Sequence, residues 1–427
     1  MLAAASVMMM TGCSGSSSSG EKKGVPLAQV DQKGSDGIAF VNIDGQCVIN
    51  DSRFSSAIGF SEGLCAVFDK GTNKLGFING KSDLVIPCQF DNDEYSHRIP
   101  SMTNIRERNM FHCGYARVCS GDGYILIDRN GNTVLEGYVP IDWDGHVVIA
   151  CDQNVREAGL YTMNGKEVVA VGKYSRYRFL QDGMLACYDN ESSCYGIIDR
   201  NGNVVVNKER GEGFLYDEVS DFVDGYALVH LKETDGPWHV IDTKGNVVRQ
   251  YPKRIGNTLT FNRIPKFYEG LTIYQGGILN NRYDPLLEFS DEVKVATYFS
   301  DGLARVYESL NGGAKMGYVN THGEMVIPYK YNAGSDFSDG VALVQDDSGW
   351  HIIDKNDNIV ATLPGSVRNA NGTNVPKFHA ERLVTYDDER QVIYDTKGNE
   401  VVLQGVTGNI ENFYYSGSDN SEVDDEL

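Results

Sequence analysis

Two short segments have the residue types of the first half of a calcium-binding loop. Residues 128–132 read Asp-Arg-Asn-Gly-Asn, and residues 199–203 repeat the same letters. Alternating side-chain oxygens suit a hard divalent cation, but the bidentate Glu that closes such a loop does not follow in the right form. The same letters recur along the chain as a turn, in which Asp accepts backbone hydrogen bonds and Gly takes a left-handed conformation. We therefore predict turns here and no metal site.

The cysteines have no metal-binding spacing, because the chain contains no Cys-x-x-Cys pair. Several of them stand inside apolar runs where other parts of the chain have Ala, Val or Tyr, which favours small buried side chains. Cys187 and Cys194 flank a predicted hairpin loop, so a disulfide across that loop is the alternative for this pair.

No catalytic motif is recognisable: the chain has no Gly-x-Ser-x-Gly, no phosphate-binding loop and no His-Glu-x-x-His. His239 and His351 each follow a Trp at equivalent positions, which favours strand packing over a unique catalytic base. Carboxylates are abundant, so a glycoside-acting enzyme with two carboxyl groups about 5–10 Å apart remains the alternative function. We predict no catalytic residue, no enzyme activity and no cofactor.

Aromatic side chains are better candidates for binding. Trp143, Trp238 and Trp350, together with many of the 24 tyrosines, could stack on sugars or peptides. Aromatic residues in strands more often belong to the core, and that reading stays open for all three tryptophans.

The first residues resemble the signal of bacterial lipoproteins. An apolar stretch ends in Met-Thr-Gly-Cys at residues 10–13, and a Ser/Gly-rich segment follows. In such lipoproteins the cysteine is acylated and the preceding peptide is removed; two or more acyl chains anchor a protein stably. The resemblance implies lipidation of Cys13 and attachment of the chain to a membrane of the bacterial cell envelope, facing the periplasm or the extracellular space.

Composition excludes several classes of protein. The chain has 427 residues, 41% of them hydrophobic, which is enough for a large core. No apolar run approaches the roughly 20 residues of a membrane-spanning helix. The net charge of −21 makes nucleic acid an improbable partner. The high content of Gly (47) and low content of Pro (11) indicate many tight turns between strands.

Two phrases repeat along the chain. The first is an aromatic residue, any residue, an acid, Gly and a short apolar run, as in Phe-Ser-Asp-Gly-Leu-Ala at residues 299–304. The second is apolar-apolar-Asp/Asn-x-x-Gly followed by apolar residues. Its turn position falls at Gly45, Ser82, Gly131, Gly165, Gly202, Gly245, Tyr283, Gly323, Asp357 and Gly398. These positions define ten units with a period of about 39 residues, each with three or four short strands.

The unit resembles the WG repeat of bacterial proteins. Residues 316–328, Met-Gly-Tyr-Val-Asn-Thr-His-Gly-Glu-Met-Val-Ile-Pro, follow the repeat pattern nearly throughout, and residues 75–79 with 84–87 follow it well. The resemblance covers roughly residues 25–403. The Trp-Gly pair that names the repeat never occurs intact: Tyr195-Gly196 keeps the Gly, whereas Trp238 and Trp350 are followed by His. The resemblance implies no catalytic residues.

The period predicts an all-β fold of propeller-like blades, with an open β-solenoid stack as the alternative. Wider steps between turns predict insertions at Asp93–Asn109 and Lys208–Glu218. The predicted organisation is a signal peptide at 1–13, a tether at 14–24, a repeat domain at 25–410 and an acidic disordered tail at 411–427. The predicted function is a lipid-anchored, non-catalytic binding or scaffold surface for protein or glycan ligands.

Overall fold

A computed structural model describes residues 26–31, 36–92, 110–121, 123–151, 157–232, 236–255, 258–259, 261, 265–274, 277–288, 294–295, 298–310, 313–365, 367, 375–387, 390–410 and 413–415. Cys13, the predicted signal peptide and the tether lie outside the described residues, as do residues 416–427 of the acidic tail. Every regular element within the described ranges is a β-strand, which confirms the all-β prediction. None of these ranges contains a helix long and apolar enough to span a membrane.

The strands fall into the ten predicted units. The first five units contain β1 (Pro26–Asp31), β2 (Ile38–Asn42) and β3 (Cys47–Asp51); β4 (Phe54–Ser61), β5 (Leu64–Asp69), β6 (Leu75–Asn79) and β7 (Leu84–Phe90); β8 (Tyr115–Ser120), β9 (Gly123–Asp128) and β10 (Thr133–Leu135); β11 (Val139–Trp143), β12 (Val147–Cys151), β13 (Ala158–Thr162) and β14 (Glu167–Val169); and β15 (Ser175–Phe179), β16 (Met184–Asp189) and β17 (Cys194–Asp199).

The sixth to tenth units follow the same plan. They contain β18 (Phe214–Val219), β19 (Tyr226–Leu231), β20 (Trp238–Asp242) and β21 (Val247–Tyr251); β22 (Arg254–Ile255), β23 (Thr258–Leu259), β24 (Leu271–Tyr274), β25 (Gly277–Asn280) and β26 (Pro285–Glu288); β27 (Lys294–Val295), β28 (Leu303–Leu310), β29 (Gly313–Asn320) and β30 (Met325–Tyr331); β31 (Ala333–Gly334), β32 (Val341–Asp346), β33 (Gly349–Asp354) and β34 (Ile359–Leu363); and β35 (Phe378–His379), β36 (Arg382–Asp387) and β37 (Arg390–Asp395). The chain ends with β38 (Asn409–Ile410) and β39 (Tyr414–Tyr415).

A complete unit is an antiparallel sheet of four strands, which we call a, b, c and d in chain order. In the second unit these are β4, β5, β6 and β7, and each pairs with the next. The fifth and sixth units share one sheet of seven strands, because β18 pairs with β17 as well as with β19.

The first repeated phrase forms the turn between strands a and b. In the second unit Glu62 and Gly63 both have positive φ, at 48° and 81°, which is the pattern of a type I′ hairpin turn. This turn requires φ > 0 at both central residues, so an acid followed by Gly recurs there.

The second repeated phrase forms the turn between strands c and d. All ten predicted turn positions have positive φ, including the three that are not Gly: Ser82, Tyr283 and Asp357. The first residue of the phrase supplies the acceptor; Asp128 Oδ1, for example, accepts hydrogen bonds from the N–H groups of Asn130 and Asn132. These contacts confirm the predicted turns.

A hydrophobic core cluster joins each unit to the next. Together these clusters run from the first and second units to the ninth and tenth without a gap. The core of the molecule is therefore a series of interfaces between neighbouring sheets rather than one central core.

The tenth unit packs against the first and closes the circuit. Strand β1 pairs with β38 and β39, so the end of the chain supplies strand a of the first unit. Ala28, Val41, Ile393 and Phe413 share one core cluster. These contacts close a propeller-like ring. In the alternative, an open stack, the first and last units would not touch.

Two predicted boundaries need correction. The repeat domain does not end at residue 410, because Phe413 is buried and Tyr414–Tyr415 is a strand of the ring. The insertion predicted at Lys208–Glu218 is shorter: a turn capped by Asn207 Oδ1 precedes β18, which begins at Phe214. The insertion predicted at Asp93–Asn109 lies outside the described residues.

Candidate functional site

The antiparallel strands divide the connections between two faces of the ring. The a–b and c–d turns lie at the same end of every sheet, and we call this side the turn face. The b–c loops lie at the opposite end, the loop face. The b–c loops vary in length, from two residues between β32 and β33 to six between β12 and β13, whereas the turns are nearly constant.

Carboxylates on the turn face join successive units. The Glu62 carboxylate accepts a hydrogen bond from the Gly114 N–H, in the a–b turn of the next unit, with N···O distances of 3.0 and 3.2 Å. Equivalent bonds run from Gly225 N–H to Asp182, from Gly302 N–H to Glu269, from Gly340 N–H to Asp301 and from Glu381 N–H to Asp339. These five carboxylates therefore help to hold neighbouring units together.

The c–d turns add cations to some of these acids. Arg129, Arg200 and Lys355 each stand directly after the first residue of the c–d turn, and each reaches the a–b turn acid of the preceding unit. The pairs are Arg129 Nη1 with Glu62 Oε2 at 3.1 Å, Arg200 Nε with Asp144 Oδ2 at 2.6 Å and Lys355 Nζ with Asp301 Oδ1 at 3.0 Å. Glu62, Asp144 and Asp301 are thus structural groups.

The carboxylate of Asp128, in the calcium-like segment, accepts its hydrogen bonds from within its own turn. Burial alone would raise the pKa of Asp128, but hydrogen bonds from the side chain and the N–H of Asn132 outweigh this and hold the pKa below its ordinary value. Asp199 has the same arrangement with Asn203. Among the described residues no group of three or more His, Cys, Asp or Glu side chains could hold a metal ion.

One histidine cluster contains the residue types of a serine hydrolase. His351 is buried, and its Nε2 lies 3.0 Å from both Ser348 Oγ and Asp346 Oδ1, while Nδ1 lies 3.0 Å from Thr362 Oγ1. A catalytic relay needs serine and carboxylate on opposite ring nitrogens. The cluster is therefore arranged as a local loop anchor; hydrogen bonds from Ser348 and His351 lower the pKa of Asp346.

A second cluster lies in the sixth unit and was missed by sequence reasoning. The buried His230 contacts Asp217 Oδ1 through Nδ1 at 2.6 Å and the Gly236 carbonyl oxygen through Nε2 at 3.0 Å. Burial, together with the neighbouring Asp217 charge, raises the pKa of Glu218. Burial also raises the pKa of Asp142, which belongs to the fourth unit. The two carboxyl groups with raised pKa are thus separated by a whole unit of the ring.

The candidate stacking tryptophans are placed mainly in the core. Trp143 is 6% exposed and Trp238 is 4% exposed, and each belongs to a cluster between two units. Trp143 Nε1 donates to the His112 carbonyl oxygen at 2.8 Å. Trp350 is half-buried against the cluster between the ninth and tenth units. As placed, Trp143 and Trp238 offer no exposed ring face to a ligand.

The alternative disulfide between Cys187 and Cys194 is not formed. Both thiols are free and buried. The strand register places Cys187 opposite Gly196 and Cys194 opposite Asp189, so the two cysteines are diagonal rather than directly opposed. Burial raises the pKa of Cys187 to about 12, as expected for a small core side chain.

Comparison with known families and structures gives a match to the repeat. The model of the WG containing repeat matches residues 316–350, from strand c of the eighth unit into strand c of the ninth. No curated protein matches the chain.

Several solved structures are similar to this chain. The crystal structure of a eukaryotic initiation factor is 12% identical, with a TM-score of 0.43, and the match covers 81% of this chain and 95% of that one. Dipeptidyl peptidase 4 of Porphyromonas gingivalis is 10% identical, with a TM-score of 0.34, over 81% of this chain and 59% of that one. A protein of unknown function from Bacteroides caccae is 14% identical, with a TM-score of 0.21, over 53% and 94%.

Proposed function

We propose that this protein is a lipid-anchored scaffold of the bacterial cell envelope whose ring binds a protein or glycan ligand without catalysis. The observation that carries the proposal is a repeated apolar pair at the start of the outer strand d. In the eighth and ninth units the pairs are Met325 with Val326 and Ile359 with Val360, and all four side chains are exposed.

These apolar residues recur around the rim of the ring. Exposed apolar side chains two to four positions after the c–d turn residue are Val48, Leu84, Val85, Val204, Val248, Leu286, Met325, Val326, Ile359, Val360 and Val402. Strands β7, β30 and β34 are also the last strands of their sheets. Exposed apolar residues repeated along sheet edges are typical of interaction surfaces.

The position of the chain ends supports an anchored scaffold. Pro26 pairs with Tyr415, and Leu27 pairs with Asn42 at the start of a c–d turn, so both described ends lie at the turn face. A tether from Cys13 would therefore leave the ring on the side opposite the b–c loops. The twelve residues between Cys13 and Pro26 span at most about 40 Å when fully extended, which would hold the ring close to the membrane with its loop face outward.

The binding role is tested with the chain from Gly24 onward, which contains every described strand, on peptide and glycan arrays. We expect a defined ligand whose binding falls at least tenfold when Met325, Val326, Ile359 and Val360 are changed to Ser, Thr, Ser and Thr. The matched control changes Thr133 and Val134 of the third unit to Ser and Thr, because that unit has no exposed apolar pair. Absence of any ligand, or equal binding by both variants, would contradict the proposed surface.

The anchor is tested separately by feeding cells labelled palmitate. We expect the wild-type chain to carry the label and to sediment with membranes, and Cys13→Ala to lose both properties. Unchanged labelling of Cys13→Ala would reject the anchor without affecting the result of the arrays.

A further inference from the structure

The seventh and eighth units meet at a depression of about 470 Å³ on the turn face, lined by Glu269, Leu271, Leu286, Thr321 and His322. The lining thus combines one carboxylate, that of Glu269, with the apolar side chains of Leu271 and Leu286. Leu286 belongs to the exposed rim described above.

Three other interfaces of the ring place a cation at the equivalent point. Thr321 occupies the same turn position as Arg129, Arg200 and Lys355, which all place a cation on the a–b turn acid of the preceding unit. The side chain of Thr321 is short and uncharged, so it cannot do so. Within the described part of the chain no cationic side chain pairs with Glu269.

Glu269 retains capacity to bind a cation. Its Oε1 accepts the Asp301 N–H at 2.6 Å and its Oε2 accepts the Gly302 N–H at 2.7 Å. A carboxylate has about four lone-pair sites, so two backbone bonds leave acceptors for a further donor. This interface therefore offers a fixed carboxylate with two leucine side chains nearby, where three other interfaces hold a basic side chain.

We propose that this depression, the unit 7–8 pocket, binds an arginine or lysine side chain of a partner protein. The aliphatic stem lies along Leu271 and Leu286, and the charged head meets Glu269. The proposal deepens the binding role proposed above and rests on it for the existence of a protein partner. Because the pocket opens on the turn face, from which the tether would leave, it fits a partner held at the same membrane.

The test uses N-acetyl-arginine amide and N-acetyl-lysine amide as probes, with neutral N-acetyl-glutamine amide for comparison. Saturation-transfer NMR on the chain from Gly24 onward measures their binding. We expect signals from both basic probes and none from the neutral probe. Thr321→Arg supplies the missing cation from within and should reduce the probe signals at least tenfold, whereas Thr321→Ser should leave them unchanged.

Glu269→Gln keeps a side-chain oxygen for one backbone bond but removes the charge, so it should also abolish the signals. It keeps the proposal testable if Thr321→Arg does not fold, and thermal unfolding verifies the fold of each variant. Retained binding in either folded variant, or equal binding of the neutral probe, would overturn the proposal. Binding of these probes does not depend on the rim residues Met325, Val326, Ile359 and Val360. Failure of the array test can therefore be distinguished from failure of the probe test.

Discussion

Deletion of residues 408–427 is expected to destabilise the whole ring severely, lowering the free energy of unfolding by about 5 kcal/mol or more. The deletion removes β38 and β39, which supply strand a of the first unit. It also removes the buried side chains of Ile410 and Phe413, and large-to-small changes at such sites cost about 2–5 kcal/mol each. The Gln391 side chain loses both hydrogen bonds to the backbone of Ile410.

The matched control deletes residues 416–427 alone, which leaves every described strand in place. Chemical denaturation monitored by circular dichroism compares the two truncated chains with the full chain. We expect the control to unfold at the same denaturant concentration as the full chain. The longer deletion should unfold at a much lower denaturant concentration. Equal stability of the two truncated chains would mean that the end of the chain does not close the ring.

Gly245→Ala is expected to destabilise the protein by about 3 kcal/mol, far more than an ordinary surface change. Gly245 has φ +79°, and a Cβ at this position would overlap the backbone carbonyl oxygen of Val206, which follows the c–d turn of the fifth unit. The left-handed conformation costs an L residue about 1–2 kcal/mol. The overlap adds to this cost because a backbone atom cannot rotate away, so the interface between the fifth and sixth units must open.

Gly225→Ala is the control within the same unit. Gly225 has φ +84°, but a Cβ there would have nothing within 4 Å. The control therefore pays only the conformational cost of about 1–2 kcal/mol. Thermal unfolding of the two variants separates the effects. If both variants lose the same stability, the c–d turn does not pack against the neighbouring unit as described.

The turns were predictable because their causes are local. Asp or Asn at the first position supplies a backbone acceptor within the same few residues, and a left-handed residue must stand at the fourth. The period even located the turns at Ser82, Tyr283 and Asp357, where the preferred Gly is absent. His239 and His351, which stand at equivalent positions of the repeat and were predicted to pack in strands, are both buried.

The closure of the ring was not predictable in the same way, because residues 409–415 contain neither repeated phrase. Their pairing with β1 joins segments from opposite ends of the chain, and no local pattern encodes such a contact. The burial of Phe413 therefore extends the repeat domain beyond the predicted boundary at residue 410. The unit 7–8 pocket was not predictable from the sequence either, because Glu269 and Thr321 come from two different units.

An engineered disulfide tests the closure of the ring most directly. Asp31 and Asn409 are directly paired across β1 and β38, at a separation suited to a disulfide. We expect Asp31→Cys/Asn409→Cys to form an intramolecular crosslink, detected by proteolysis and mass spectrometry, whereas Asp31→Cys/Asn356→Cys should form none. If the paired cysteines stay reduced under oxidising conditions, the first and last units are apart and the ring is open.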